Sequence, residues 1–275
     1  MKTLKIMAVA LTAMLVAASC GQKKDAPKVL VLYYSQTGNT EAVAQQIVTA
    51  LGADAEEIVA VQPYDGNFEE TIQRCMRERE EGILPQIQPV QAKIADYDIV
   101  FLGFPVWFGT CAMPVLTCLG EIDLAGKKVV PFCTFGSGGL QSSTADIVSK
   151  QPQADVLSGY GVRAARMAAM PDELDQFLKA GGFIEGEYVQ LEEFPDAREV
   201  SEEEAAIFDA AVAGYRMLNA KASKVASREI PGGTEYKFVA LTPPFGAAPD
   251  SSMVEITVFV TVKEGEAPEF TQVVR

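Results

Sequence analysis

The sequence predicts an α/β domain built on a doubly wound parallel sheet of five strands in the order 2-1-3-4-5, followed by a small α+β domain. Three observations predict it. The run Val31-Leu32-Tyr33 reads as an apolar strand, and Ile99-Val100-Phe101-Leu102 and Val129-Val130-Pro131-Phe132 read as strands buried on both faces. Strand-like runs alternate with helical patterns up to about residue 183, which implies a parallel sheet covered on both sides. Beyond Glu185 the order changes to one helical pattern and then strands only, which is the signature of an α+β unit.

The elements follow in order. The first strand ends at Tyr34, and the turn Ser35-Gln36-Thr37-Gly38-Asn39-Thr40 leads directly into a helix read from Glu41 to Leu51. Val43, Ala44, Ile47, Val48 and Leu51 share one face of that helix. Glu56–Val61 reads as the second strand, and a charged region containing Arg74-Cys75-Met76-Arg77-Glu78-Arg79-Glu80-Glu81 follows. Asp96-Tyr97-Asp98 introduces the third strand, and the fourth carries Pro131, which denies it one ladder bond. A weaker fifth strand spans Val156 to Val162, and a helix over Asp172–Ala180 closes the domain before Gly181-Gly182.

The strand–turn–helix joint at Ser35–Thr40 aims free backbone N–H groups and the positive end of a helix dipole at one spot, where an anion is favoured. Ser35, Thr37 and Thr40 add hydroxyls, Gln36 and Asn39 add amides, and Gly38 lets backbone approach a ligand. No Lys or Arg lies in the turn, and neither a P-loop nor G-x-G-x-x-G is present. Read alone, the turn has a second reading, a polar joint whose hydroxyls merely cap the helix. Two more loops follow apolar strands: Gly103 to Thr110, with the chain's single Trp at position 107, and Thr134 to Leu140. In a 2-1-3-4-5 sheet, ligands sit at the carboxyl ends around the switch between strands 1 and 3, where all three loops converge.

These residues carry a resemblance. Tyr33, Ser35, Gly38, Thr40, Ala44 and Ile47 fall at the spacing of the flavodoxin phosphate loop, which holds the monophosphate of FMN with neutral donors. The stretch Asp96 to Gly139 resembles the flavodoxin-like branch found in bacterial envelope and cytoplasmic proteins, with its G-[YF]-P-[IV]-W-[WF]-G and P-F-x-T-x-G-x-x-G loops. The resemblance implies FMN as cofactor. It implies that Ser35, Gln36, Thr37, Gly38, Asn39 and Thr40 hold the phosphate. Pro105, Val106, Trp107, Phe108, Gly109 and Thr110 would form the first flavin loop, with Trp107 or Phe108 against the ring. Thr134, Phe135, Gly136, Ser137, Gly138 and Gly139 would form the second, mostly through backbone. Phe135 stands where the family favours a small residue, a departure that touches the ring edge.

The second domain begins after Glu192-Glu193-Phe194-Pro195. Ser201-x-x-Glu204 is a capping box, opening a helix with Ile207, Phe208, Ala211, Val212, Tyr215 and Leu218 on its apolar face. Strands are expected at Val225–Ile230, Tyr236–Leu241, Met253–Val262 and Phe270–Val274. In the third, Val254, Ile256, Val258, Val260 and Val262 alternate with Glu255, Thr257 and Thr261. The unit resembles the cystatin-like fold, with Ser227–Tyr236 at the place of the cystatin hairpin. Arg228 occupies the position of the inhibitory Gln, so the fold is carried over and protease inhibition is not.

At the amino end, Lys2 and Lys5 precede an apolar run from Ile6 to Ala18, a secretory signal too short to span a membrane comfortably. Val16-Ala17-Ala18-Ser19-Cys20 resembles a bacterial lipobox, which implies lipidation of Cys20 and a cell-envelope location, outer membrane or periplasm-facing. The expected division is 1–20 signal peptide, 21–27 tether, 28–186 flavodoxin-like domain, 187–200 linker and 201–275 cystatin-like domain. A net charge of −14 argues against nucleic acid or anionic lipid as partners of the folded part, leaving the lipid anchor as the one membrane contact. The absence of histidine excludes imidazole catalysis and His metal ligation. No C-x-x-C occurs, so no metal site is expected; Cys111 and Cys118, if both helical, sit about 10 Å apart along the axis, too far for a disulfide. Cys75, Cys111, Cys118 and Cys133 then read as small buried apolar residues. The functional expectation is an FMN protein acting in electron transfer with an unidentified redox protein. Its alternatives are an FMN-dependent NAD(P)H:quinone-type reductase and a flavin-free interaction module.

Overall fold

A computed structural model describes residues 26–66, 68–136, 138–215, 218–243 and 252–274. The expected signal peptide, Cys20, most of the tether and Ser137 lie outside the described residues. The first unit runs β1 (Val29–Tyr33), α1 (Asn39–Leu51), β2 (Asp54–Glu57), α2 (Phe68–Glu81), β3 (Ile99–Trp107), β4 (Thr110–Cys111), α3 (Met113–Glu121), β5 (Lys128–Phe135), α4 (Leu140–Lys150), β6 (Asp155–Val156), β7 (Tyr160–Arg163) and α5 (Met170–Ala180). Its sheet has the order β2-β1-β3-β5-β6, with β7 also on β5 and the short β4 folded back on β3. Apart from β4, every pairing in it is parallel. This is the doubly wound arrangement that the sequence predicts.

Alternation along the strands explains the two covered faces. Leu30, Leu32, Val100 and Leu102 point into a core closed by Val115, Leu119 and Ile147 of α3 and α4. Val31, Phe101, Val130 and Phe132 point the other way, onto Val43 and Ile47 of α1 and Leu174 and Leu178 of α5. A Cβ on Gly103 would lie 2.1 Å from the Phe132 ring, so β3 admits only glycine there.

Several expected elements are corrected. The second strand pairs only as far as Glu57. Val59–Val61 leaves the sheet to meet the 86–88 stretch, with Val61 N–H on Gln86 O and Gln88 N–H on Val59 O. The charged region is a helix, α2, and its inward stripe is narrow and mostly polar: Thr71, Cys75 and Glu78. An apolar periodicity could not reveal it. The fifth strand is split into β6 and β7 around Leu157–Gly159. Val129 pairs with Val156 and Phe132 with Tyr160, so the offset grows by one residue across Pro131. Pro131 has no N–H to offer, and Gly159 fits against its carbonyl, where a Cβ would stand 2.3 Å from the oxygen. Cys111 is in β4 and Cys118 in α3, so they do not share a helix; with Cys75 and Cys133 they are buried and free.

The second unit comprises β8 (Arg198–Glu199), α6 (Glu202–Val212), β9 (Lys221–Ile230), β10 (Gly233–Thr242), β11 (Val254–Lys263) and β12 (Glu269–Val274). It forms a separate antiparallel sheet of order β12-β11-β10-β9-β8. The capping box is formed in both directions: Ser201 Oγ accepts from Glu204 N–H, and the Glu204 carboxylate accepts from Ser201 N–H. α6 ends at Val212, short of Tyr215 and Leu218, which still join its core from the following turn. Ile256, Val258 and Val260 are buried against Phe208 and Phe238 as the alternation requires. β8 lies within the expected linker and supplies the sheet's far edge.

Candidate functional site

The three loops emerge side by side because their strands are neighbours. Tyr33 pairs with Gly103, and Pro105 with Thr134, at the carboxyl ends of β1, β3 and β5. The loops also touch one another. Tyr34 N–H donates to Gly103 O, and a Cβ on Gly138 would sit 3.5 Å from Val106 Cγ1.

In the first loop Gly38 caps α1 with φ 86, and no side chain caps the helix. The first-turn N–H groups therefore have no intrahelical partner and face the turn. Among the described residues, Ser35 Oγ is buried in this turn without a hydrogen-bond partner. Thr37 and Gly38 are exposed, Asn39 opens the helix half-buried, and Thr40 is buried. The Gln36 amide turns aside instead, donating to Tyr64 O and Thr71 Oγ1 at 3.1 and 3.3 Å.

The second loop is a hairpin. Trp107 pairs with Thr110 across the two-residue turn Phe108-Gly109, whose φ values are 52 and 81. Positive φ at both central residues is the type I′ turn that matches strand twist. Phe108 is the one described non-glycine residue in that region, and its side chain is 41% exposed. Trp107 points the other way, edge-on to Tyr34 with ring centroids 5.7 Å apart and 5.0 Å from Tyr64. Arg74 covers the other ring, 3.7 Å from the Tyr64 centroid, and Tyr64 Oη donates to Glu78 Oε2 at 2.6 Å. Burial and the Glu78 carboxylate push the Tyr64 phenol up. Pro105 and Val106 are half-buried on β3, Gly109 is exposed in the turn, and the Thr110 hydroxyl donates to Asp146 Oδ2.

In the third loop Thr134 is buried and hydrogen-bonded to Thr40. Phe135 is buried in the α3/α4-side core, so its bulk does not enter the loop. Gly136 is exposed and its carbonyl accepts from Arg163 Nε at 3.0 Å. Gly138 has φ 139, and Gly139 precedes α4 without a side-chain cap.

The stretch that holds this sheet, the α1 turn and the two loops beside it is matched by one family profile. The flavodoxin profile covers residues 28–177. The chain belongs to the flavodoxin family. Solved structures similar to this flavodoxin include a Bacteroides eggerthii chain assigned as a flavoprotein, 29% identical, with a TM-score of 0.48 over 55% of this chain and 97% of that one. A Bacteroides uniformis chain of the same description is 24% identical, with a TM-score of 0.49 over 54% and 98%. A Lactobacillus acidophilus flavoprotein in complex with FMN is 22% identical, with a TM-score of 0.45 over 55% and 98%.

The residues present fit a flavin monophosphate. A hydroxyl that is buried without a partner among the described residues, in the turn that leads to uncapped helical N–H groups, suits a phosphate, and an exposed aromatic at a hairpin tip suits a ring. Tyr34 and Tyr64, which fix Trp107, were not among the expected site residues. Tyr34 adjoins the loop and was legible by position, whereas Tyr64 lies in an irregular segment with no local signal.

Proposed function

We propose that this flavodoxin binds FMN and serves as an electron carrier. One observation carries the reading: Ser35 Oγ, without a partner among the described residues, in the turn before the uncapped start of α1, after the strand that neighbours the one leading to Trp107 and Phe108. Ser35, Thr37, Asn39 and the first-turn amides of α1 would hold the phosphate. Hydrogen bonds to a charged group contribute roughly 1.5–3 kcal/mol each, so a few suffice without a lysine. Phe108, and Trp107 behind it, would hold the ring, each aromatic contact adding about 0.5–1.5 kcal/mol. The flavin, when bound, supplies the redox chemistry, and the protein sets its surroundings. The acidic chain, with no cation in the phosphate turn, favours the less negatively charged oxidised cofactor and so a low potential.

Titrating FMN with the purified chain tests the reading. Flavin fluorescence is expected to fall at micromolar protein, and unchanged fluorescence would overturn it. Turnover with NADPH and a quinone is expected to be negligible; rapid turnover would assign a reductase in place of a carrier.

The Ala-Ser-Cys ending of the first apolar run supports an envelope lipoprotein anchored through Cys20. Cys20→Ala is expected to release the protein from membranes or leave it unprocessed.

A further inference from the structure

The two sheets meet at the flavin end of the first domain, and they meet on the third loop. β12 is an edge strand. Thr257, Val258 and Phe259 pair with Val274, Val273 and Gln272, but Val260 pairs with Phe270, which leaves Thr271 as a bulge. A bulge re-aims the side chains beside it. Phe270 and Val273 both enter the core of the second domain, while Gln272 is turned out of it. Its carboxamide lies over Gly139, where a Cβ would stand 2.5 Å from Nε2. Arg163, the last residue of β7, ties the same loop to the same strand. Its Nε donates to Gly136 O at 3.0 Å and its Nη1 to Phe270 O at 2.5 Å. The guanidinium also covers the Phe270 ring at 4.1 Å. One step away, Arg166 pairs with Glu269 at 2.9 Å and with Glu173 at 2.6 Å.

We infer that the C-terminal domain is a component of the flavin site: β12 sets Gln272 on Gly139, and Arg163 clamps Gly136 to Phe270, so the domain holds Gly136 and Gly139 of the third loop where the ring is received. The inference rests on the FMN reading. Gln272 and Arg163 are positioning residues. They act on a glycine-rich loop that has little rigidity of its own, since glycine loses the most freedom on ordering. A linker-tethered neighbour with no such role would have no reason to contact this loop in preference to the rest of the surface.

The test uses the full chain and three variants. Gln272→Ala removes the amide, and Arg163→Lys keeps the charge but loses the fork that reaches two carbonyls. Gly139→Ala displaces Gln272 from the other side without strain, because Gly139 has extended backbone with φ −177. In the ligand-free protein, amide hydrogen exchange over residues 134–139 is expected to accelerate in all three, with α1 unchanged. Dissociation constants for FMN and riboflavin are expected to rise by the same factor, about tenfold, because the ring loop and not the phosphate loop is loosened. Unchanged exchange at the loop would overturn the inference. So would faster exchange with wild-type FMN affinity. A wild-type chain that binds no FMN overturns the flavin reading first, before any variant is made, and the inference falls with it.

Discussion

Thr40 and Thr134 share a hydrogen bond of 2.9 Å between their side-chain oxygens, buried and 94 residues apart in sequence. It joins the first turn of α1 to the end of β5, and so the turn proposed to hold phosphate to the third loop. Thr40→Val leaves the Thr134 hydroxyl buried without its partner and is expected to cost about 1–3 kcal/mol. The double variant Thr40→Val/Thr134→Val, apolar at both positions and similar in shape, is expected to cost less than the two single changes together. Denaturant unfolding measures the cycle. Strict additivity would show that the bond contributes nothing.

Thr37 is exposed in the turn proposed to hold phosphate, beside Gly38. Thr37→Glu sets a carboxylate against the FMN phosphate, with like charges opposing at about 1 kcal/mol per pair at 4 Å in water. FMN affinity is expected to fall by about tenfold or more, at 1.4 kcal/mol per decade, while riboflavin affinity holds. Wild-type protein should prefer FMN strongly. Equal affinities for the two flavins would place the phosphate elsewhere.

Phe108 holds φ 52 at the tip of the second loop and is 41% exposed. A non-glycine residue held there costs of order 1–3 kcal/mol, and glycine's extra unfolded-state freedom offsets about 0.5–1 of the relief. Phe108→Gly is therefore expected to hold or raise the thermal midpoint while weakening flavin binding. A variant that loses stability would identify Phe108 as a packing residue.

Glu204 supplies a pH dependence to the second domain. The Arg198 guanidinium, at 2.6 and 2.8 Å, and the Ser201 hydroxyl and N–H hold its carboxyl at about 2 against an ordinary 4.5. A depressed carboxylate stabilises the fold fully above its unfolded value, and that stability is lost as pH falls toward the folded one. Unfolding midpoints are expected to decline between about pH 4.5 and 2. Glu204→Gln should flatten that decline and lower the midpoint at neutral pH. Added salt should weaken the effect, since the Arg198 side chain is 59% exposed.

The sequence by itself determined the alternation of buried strands and helices, and with it the doubly wound sheet. Runs such as Ile99–Leu102 are apolar on both faces, and only a strand covered twice has that requirement. It also determined the three loops, because glycine, proline and hydroxyl residues mark where backbone must turn or approach a ligand, and the capping box at Ser201 and Glu204, whose chemistry is local. α2 was not legible, since its inward residues Thr71, Cys75 and Glu78 form no apolar period: Thr71 meets Gln36, and Glu78 meets Tyr64 and Arg74. The direction of Trp107 was decided by Tyr34 and Tyr64, and the inward turn of Phe135 by the core beneath it. Only the tertiary structure brought Gln272 to Gly139 and Arg163 to Phe270. Contacts between residues over a hundred positions apart depend on how two finished units meet, and no periodicity within either unit encodes that meeting.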